Sequence, residues 1–102
     1  MQEFRCYKLA VSFYRLVEKV KLEPHLYLQL VRAAASVVCN LSEGDGRKTL
    51  PDRQRFFVIA FGSLRECQSV LDLGNVSDPI IVDKADHLAA SIYKLCRYDG
   101  RK

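Results

Sequence analysis

The stretch FFVIAFGSLRECQSVL, residues 56–71, decides the fold. Its first six residues have the composition of a buried strand. Beyond them Phe57, Ala60, Phe61, Leu64, Cys67 and Leu71 hold a helical period for about four turns with no turn signal, longer than strands ordinarily run. The segment therefore reads as one helix. Gly62 inside it costs about 1 kcal/mol relative to Ala, which calls for a packing reason such as the close approach of a neighbour. Thr49 or Leu50 ahead of Pro51 and Asp52 marks its start, with an acid where the helix dipole favours one. Leu73-Gly74-Asn75 marks its stop.

Helical stripes also fill the chain on either side. From Phe4 to Lys21, Cys6, Leu9, Ala10, Phe13, Leu16, Val17 and Val20 recur at helical spacings, and Tyr7, Val11 and Tyr14 make a second, semi-apolar stripe. Pro24 suits the first turn of another helix. There Tyr27, Leu30, Val31, Ala34, Val37, Val38 and Leu41 form an apolar face, and Gln29, Arg32, Ser36, Asn40 and Glu43 a polar one. Ala33 to Ser36 offers a small-residue patch for close helix approach. Gly44 or Gly46 is expected to end this helix in the left-handed conformation. Ser77 or Asp78 can cap a last helix with Pro79 in its first turn, and Ile81, Ala85, Leu88, Ala89, Ile92, Leu95 and Cys96 run down one face of it. Helices of about 16 to 22 residues, roughly 25 to 33 Å long and joined by short connections, predict an all-α, antiparallel up-and-down four-helix bundle. Residues 1–102 suit a single domain.

Composition excludes several function classes. Apolar residues are 49% of the chain and charged residues 27%, as in ordinary globular proteins and unlike disordered ones. Apolar runs are interrupted well before membrane-spanning length, and the start MQEFRCYK lacks the apolar centre of an export signal, so a cytoplasmic location is expected. The four cysteines lie about thirty residues apart without a C-x-x-C pair or a neighbouring His. They read as reduced core residues, with no metal site and no cofactor expected.

The turn EGDGRK, residues 43–48, lacks the order and the preceding strand of a phosphate loop. It reads as a helix stop in which Arg47 and Lys48 face the negative end of a helix dipole. His25 and His87 are isolated, and no nucleophile stands beside a base. Asn40, Glu43 and Glu66 could meet inside a bundle, but the Glu-x-x-His pairs of a di-iron site are missing. The carboxylates are expected to pair with Arg32 or Arg47 in a buried polar network, and no enzymatic activity is expected.

Phe56 and Ile59 lie outside the main stripe of their helix, leaving its first half apolar over most of its circumference. That surplus points to self-association, with Tyr7, Val11 and Tyr14 as further interface candidates.

LVRAAASVVCNLSEGDGR followed by FVIAFGSLRE resembles the four-helix bundle family that includes proteins encoded by intervening sequences within bacterial 23S ribosomal RNA genes. The resemblance runs from FRCYKLA to the Leu-Gly of residues 73 and 74. Its specific part is Asn40, Glu43, Gly44, Gly46 and Arg47, then Ala60, Gly62, Ser63, Leu64 and Glu66. Val38 stands where the family commonly has Pro, Ser42 where it has Ala, and Gln68 where it has a second acid. The resemblance implies a left-turning bundle that assembles as a homopentamer, with no established enzymatic activity. More distantly it is similar to accessory proteins of diversity-generating retroelements, pentamers that engage a reverse transcriptase and nucleic acid.

The net charge of +4 is a modest lean toward anionic partners, but a cyclic assembly would repeat it as a ring. Candidate nucleic-acid contacts are Arg47, Lys48, Arg53 and Arg55 around the third helix's start, and Lys94, Arg97, Arg101 and Lys102 near residue 102. Asp45 and Asp52 interrupt the first group, and no RNA-binding signature with stacking aromatics is present. The expected partners are further copies of the chain, with structured RNA or a nucleic-acid enzyme. The alternative is an adaptor oligomer that binds another protein; neither a membrane nor a small-molecule substrate is expected.

Overall fold

The computed structural model describes residues 2–97, which form α1 (Gln2–Glu18), α2 (Pro24–Asp45), α3 (Leu50–Leu73) and α4 (Pro79–Arg97). Residues 56–71 lie inside the 24-residue α3. Thr49 caps that helix by accepting from the Asp52 N–H at 3.3 Å, and Asp78 caps α4 by accepting from the Ile80 N–H at 3.0 Å. Each cap satisfies a donor that has no partner within its own helix.

Helix α1 stops at Glu18, short of the Lys21 that the periodicity suggests. The Lys19 and Val20 N–H groups tighten onto Leu16 and Val17, and the Tyr27 hydroxyl donates to the Glu18 carbonyl at 2.8 Å. A side chain from α2 thus satisfies a carbonyl at the end of α1, and the chain turns early.

Each helix packs against its chain neighbours, α1 also meets α4, and α2 with α3 is the most extensive pairing, as in an up-and-down bundle. The molecule measures 43 × 22 × 18 Å. Its core runs through Phe13 and Val17 of α1, Leu30, Val37 and Leu41 of α2, Phe57, Leu64 and Val70 of α3, and Leu88 and Ile92 of α4. These are the apolar stripes of the sequence, buried on one another. The polar stripe of α2 is exposed at Gln29, Arg32 and Glu43 and half-buried at Ser36 and Asn40. Ser36 lies 2.8 Å from the Ser63 hydroxyl of α3, and Asn40 donates to the Ser36 carbonyl and hydroxyl at 2.8 and 3.1 Å. Small side chains at Ala33, Ala34, Ser36, Ala60 and Ser63 let the two helices approach closely.

The glycines act differently from the expectation. Helix α2 passes through Gly44, and Gly46 closes it at φ −83°, so neither adopts the left-handed conformation. Gly44 is demanded by space instead: a Cβ there would stand 2.7 Å from the Phe57 ring and 3.1 Å from the Arg53 carbonyl. The left-handed residue among those described is Asn75, φ 58°, which follows the Gly74 that closes α3, a position Asn tolerates better than most residues. A Cβ at Gly62 would meet no atom within 4 Å, so no neighbour within the chain supplies the packing reason expected there.

Cys6 and Cys67 are buried and Cys96 is half-buried, but Cys39 is exposed on α2, which corrects its reading as a core residue. Burial pushes the Cys6 thiol up to about 11 and the Cys67 thiol up to about 12, with smaller contributions from Glu3 and Glu66 respectively. Both stay protonated across the physiological range, as buried structural thiols do.

Two predictions follow from this packing. Gly44→Val forces the Phe57 ring and the α3 backbone aside and lowers unfolding free energy by about 2 kcal/mol or more, whereas Gly46→Ala, whose Cβ has ordinary contacts, leaves it unchanged or raises it by up to about 1 kcal/mol. Urea denaturation of the variants beside the parent protein measures both. A chromogenic thiol reagent at pH 8 modifies Cys6 and Cys67 only after denaturation, because burial both shields these thiols and keeps them protonated.

Candidate nucleic-acid interface

Antiparallel topology gathers the start of α1, the α2–α3 turn and the close of α4 at one end of the bundle. The two basic segments found in the sequence therefore meet there. Arg47, Lys48, Arg53 and Arg55 come from the turn and the start of α3, Lys94 and Arg97 from α4, and Arg5 and Lys8 from α1. Arg101 and Lys102 lie outside the described residues. The opposite end carries Glu18, Glu23, Asp72 and Asp78 beside Lys19 and Lys21, so it is near balance while the first end is basic.

The cations at the basic end do different work. Arg53 is part of the scaffold: its Nη1 donates to the Asp45 carbonyl at 2.9 Å and the Arg47 carbonyl at 3.3 Å, while its Nη2 meets Glu3 at 3.1 Å and Asp45 at 3.6 Å. It closes α2, ties α3 to α1, and is only 23% exposed. Arg47 pairs with Glu43 at 2.7 Å and lies 3.8 Å from Asp52, which in turn accepts from Arg55 at 2.9 Å. Both guanidiniums lie over the Phe56 ring, 4.7 and 4.4 Å from its centre. Lys48 and Lys94 are exposed and pair with no acid among the described residues. Arg97 donates to the Tyr93 hydroxyl at 3.0 Å and covers its ring at 5.5 Å, as Lys8 covers Phe4 at 5.5 Å. The acids of this end are largely taken up by Arg47, Arg53 and Arg55, which leaves the lysines, Arg5 and Arg97 as its unbalanced charge among the described residues.

The model of the family described as 23S rRNA-intervening sequence protein matches residues 4–98. The chain belongs to that family. No curated protein and no solved structure matches it.

In this intervening-sequence protein the residues of the sequence motif divide between packing and solvent. Gly44, Asn40 and Ser63 hold α2 against α3. Glu43 is exposed and pairs with Arg47, and Glu66 is exposed on α3 without an ion pair among the described residues. Asn40, Glu43 and Glu66 form no common site. No charged or polar residue among those described is buried, which corrects the expected buried network, and no His, Cys, Asp and Glu group among them is placed to hold a metal.

Two apolar surfaces remain on the intervening-sequence protein. Tyr7, Val11 and Tyr14 line a groove of about 270 Å³ between α1 and α2, floored by Ala35, Val38 and Cys39. On α3, Val58 is 56% and Ile59 43% exposed, beside Gly62. Phe56, one turn before Ile59, is half-buried with two arginines over its ring. Sequence reasoning missed Val58, whose helical position one turn before Gly62 was the available signal. It also missed the Arg53–Glu3 pair, for which no local pattern exists across so long a separation.

The division among the cations is testable. Arg53→Met removes two carbonyl contacts and the ion pairs with Glu3 and Asp45 and lowers unfolding free energy by about 1.5 to 3 kcal/mol, whereas Lys48→Ala changes it by less than about 0.5 kcal/mol. Chemical denaturation reads the difference, and a double-mutant cycle with Glu3→Gln isolates the part carried by the ion pair.

Proposed function

We propose that this intervening-sequence protein is a non-catalytic, self-associating bundle that binds nucleic acid, structured RNA foremost, through its basic end. The observation that carries the reading is topological: two basic segments far apart in sequence share one end, and Lys48, Lys94 and Arg97 stand there without acidic partners among the described residues. Arg47 and Arg55 add charge already held in place by Asp52 and Phe56. Arg53 is withdrawn from the candidate contacts because its donors are engaged inside the fold. The two histidines stand apart in solvent on different helices, and the proposal assigns the chain no reaction, cofactor or small-molecule substrate. Its setting is the cytoplasm, where RNA is at hand; no helix among the described residues is long and apolar enough to cross a membrane.

Self-association rests on the two different apolar faces of one chain. The Val58, Ile59 and Gly62 face of one copy seats in the groove of Tyr7, Val11 and Tyr14 on the next. Contact between two different patches propagates and closes into a ring when the rotation allows. Open space above Gly62 admits the close approach of a second helix, the packing reason absent within the chain. Five copies is the number that the family resemblance implies. In such a ring each basic end is repeated, and the modest charge of one chain becomes a substantial potential.

The same apolar surfaces favour the second reading, an adaptor whose partner is another protein. Salt separates the two, because phosphate contacts release counterions and weaken steeply with ionic strength while apolar contacts do not. Light scattering with and without a structured RNA, at low and high salt, is expected to show an oligomer that gains mass with RNA at low salt only. An oligomer indifferent to RNA at both salts favours the adaptor, and a monomer removes the interface argument.

Two variants extend this test. Lys48→Glu with Lys94→Glu is expected to weaken RNA binding at least tenfold with assembly intact; reversing Arg47 would instead place two acids together at Glu43. Gly62→Leu is expected to reduce the assembled mass while circular dichroism stays that of a folded bundle.

A further inference from the structure

We infer that Glu66 of one copy pairs with Arg32 of the next, and that this pair sets the copies side by side in one direction, with every basic end on the same face of the assembly. The inference rests on the self-association reading above and adds its register and its polarity.

The spacing of charges on two helices carries the argument. On α3, Arg55, Ile59, Gly62 and Glu66 follow at intervals of four, three and four, so they share one exposed face. On α2, Glu43, Cys39, Ala35 and Arg32 stand at four, four and three along the helix that supplies one side of the groove. The two helices run in opposite directions, so both series read outward from the basic end. Taking Ile59 and Cys39 as centres, each series has one charge about 6 Å before the centre and the opposite charge about 10 Å beyond it. The signs differ at both places: Arg55 then Glu66 on α3, Glu43 then Arg32 on α2. Laid together in the same direction, the two faces set unlike charges level at both edges, with Ile59 against Cys39 between them. Reversing one copy sets like charges toward each other, and such juxtaposition is how interfaces exclude the wrong docking.

The levels also suit closure. Ser36 and Ser63 touch across α2 and α3, and Cys39 lies three residues, Ile59 four residues, nearer the basic end. The two centres therefore stand within about 2 Å of one level in the chain itself. Matching them between copies takes a rotation with almost no shift along the bundle, as a closed ring requires.

The two edges differ in what they have to offer. Arg55 already meets Asp52 and Glu43 already meets Arg47. Glu66 and Arg32 are exposed and have no ion pair among the described residues, although they flank the same α2–α3 seam. The outer edge is where a second copy finds unspent charge.

The test is light scattering over a dilution series in reducing buffer at low salt, with circular dichroism as the control for folding. Glu66→Arg and Arg32→Glu each place like charges across the contact, and each is expected to raise the concentration needed for assembly at least about tenfold. Mixed in equal amounts, the two variants are expected to co-assemble at concentrations where neither does so alone, because the α3 face of each then meets a complementary groove on the other. A pair formed within one chain cannot be restored by mixing. The neutral changes Glu66→Gln and Arg32→Gln measure the pair without repulsion: the double variant is expected to assemble no worse than either single one, and additive losses count against the pair. Reversal variants that assemble like the parent, or a mixture that stays dissociated, overturn this inference and leave self-association in place. A parent chain that is monomeric overturns both.

Discussion

One guanidinium sets the geometry on which the basic end depends. Arg53 enters α3 in its first turn and donates back to the Asp45 and Arg47 carbonyls, so the helix that follows the turn closes the helix that precedes it. Its other terminal nitrogen reaches Glu3, which brings the first turn of α1 into the same contact. The aliphatic and cationic parts lie by Phe57, the ring that leaves no room for a side chain at Gly44. Carbonyls at a helix close carry partial negative charge, and a cation there is favoured twice, by hydrogen bonds and by the dipole. With the turn fixed in this way, Arg47, Asp52, Arg55 and Phe56 come into contact with one another. The exposed charge of the end is what is left after these contacts are made.

The fold was legible because its signals are local and redundant. In α3 the period of Phe57, Ala60, Leu64, Cys67 and Leu71 outlasts any strand, and Thr49 and Gly74 bracket it. Similar stripes run through α1, α2 and α4, and all four are buried where the period places them. The errors arose where two distant segments meet. Gly44 and Gly46 look alike in sequence, yet one is shaped by Phe57 and the other only closes a helix in an ordinary conformation. Glu18 ends α1 early because Tyr27 supplies a hydroxyl from the next helix. Cys39 shares the composition of the other cysteines but falls on the solvent side of α2, at a position a fully helical period could have assigned.

The candidate site was legible as a list of charges but not as an arrangement. The sequence suggests that Arg47, Lys48, Arg53 and Arg55 are equivalent members of a basic patch. Their roles separate only when Glu3, Glu43, Asp52 and Phe56 are placed beside them. Asp52 and Arg55 stand three apart on a helix and could have been paired from sequence; Glu3 and Arg53 could not. The acids that interrupt the basic segment do more than dilute it. They orient two arginines and hold a third inside the fold, and the charge they leave unbalanced moves to Lys48, Lys94 and Arg97.

This separation bears on how so modest a net charge could act on a polyanion. A surface of freely moving lysines loses side-chain entropy when it meets phosphates, whereas guanidiniums already held by a carboxylate and a ring have lost most of it on folding. Arg47 and Arg55 are restrained in this manner, and Arg97 is restrained by Tyr93. In the proposed ring these charges are repeated without adding any to the single chain, and avidity then grows with the number of ends that one ligand can touch. The restrained arginines and the proposed ring therefore act in the same direction, the first by lowering what each phosphate contact costs in entropy and the second by repeating it.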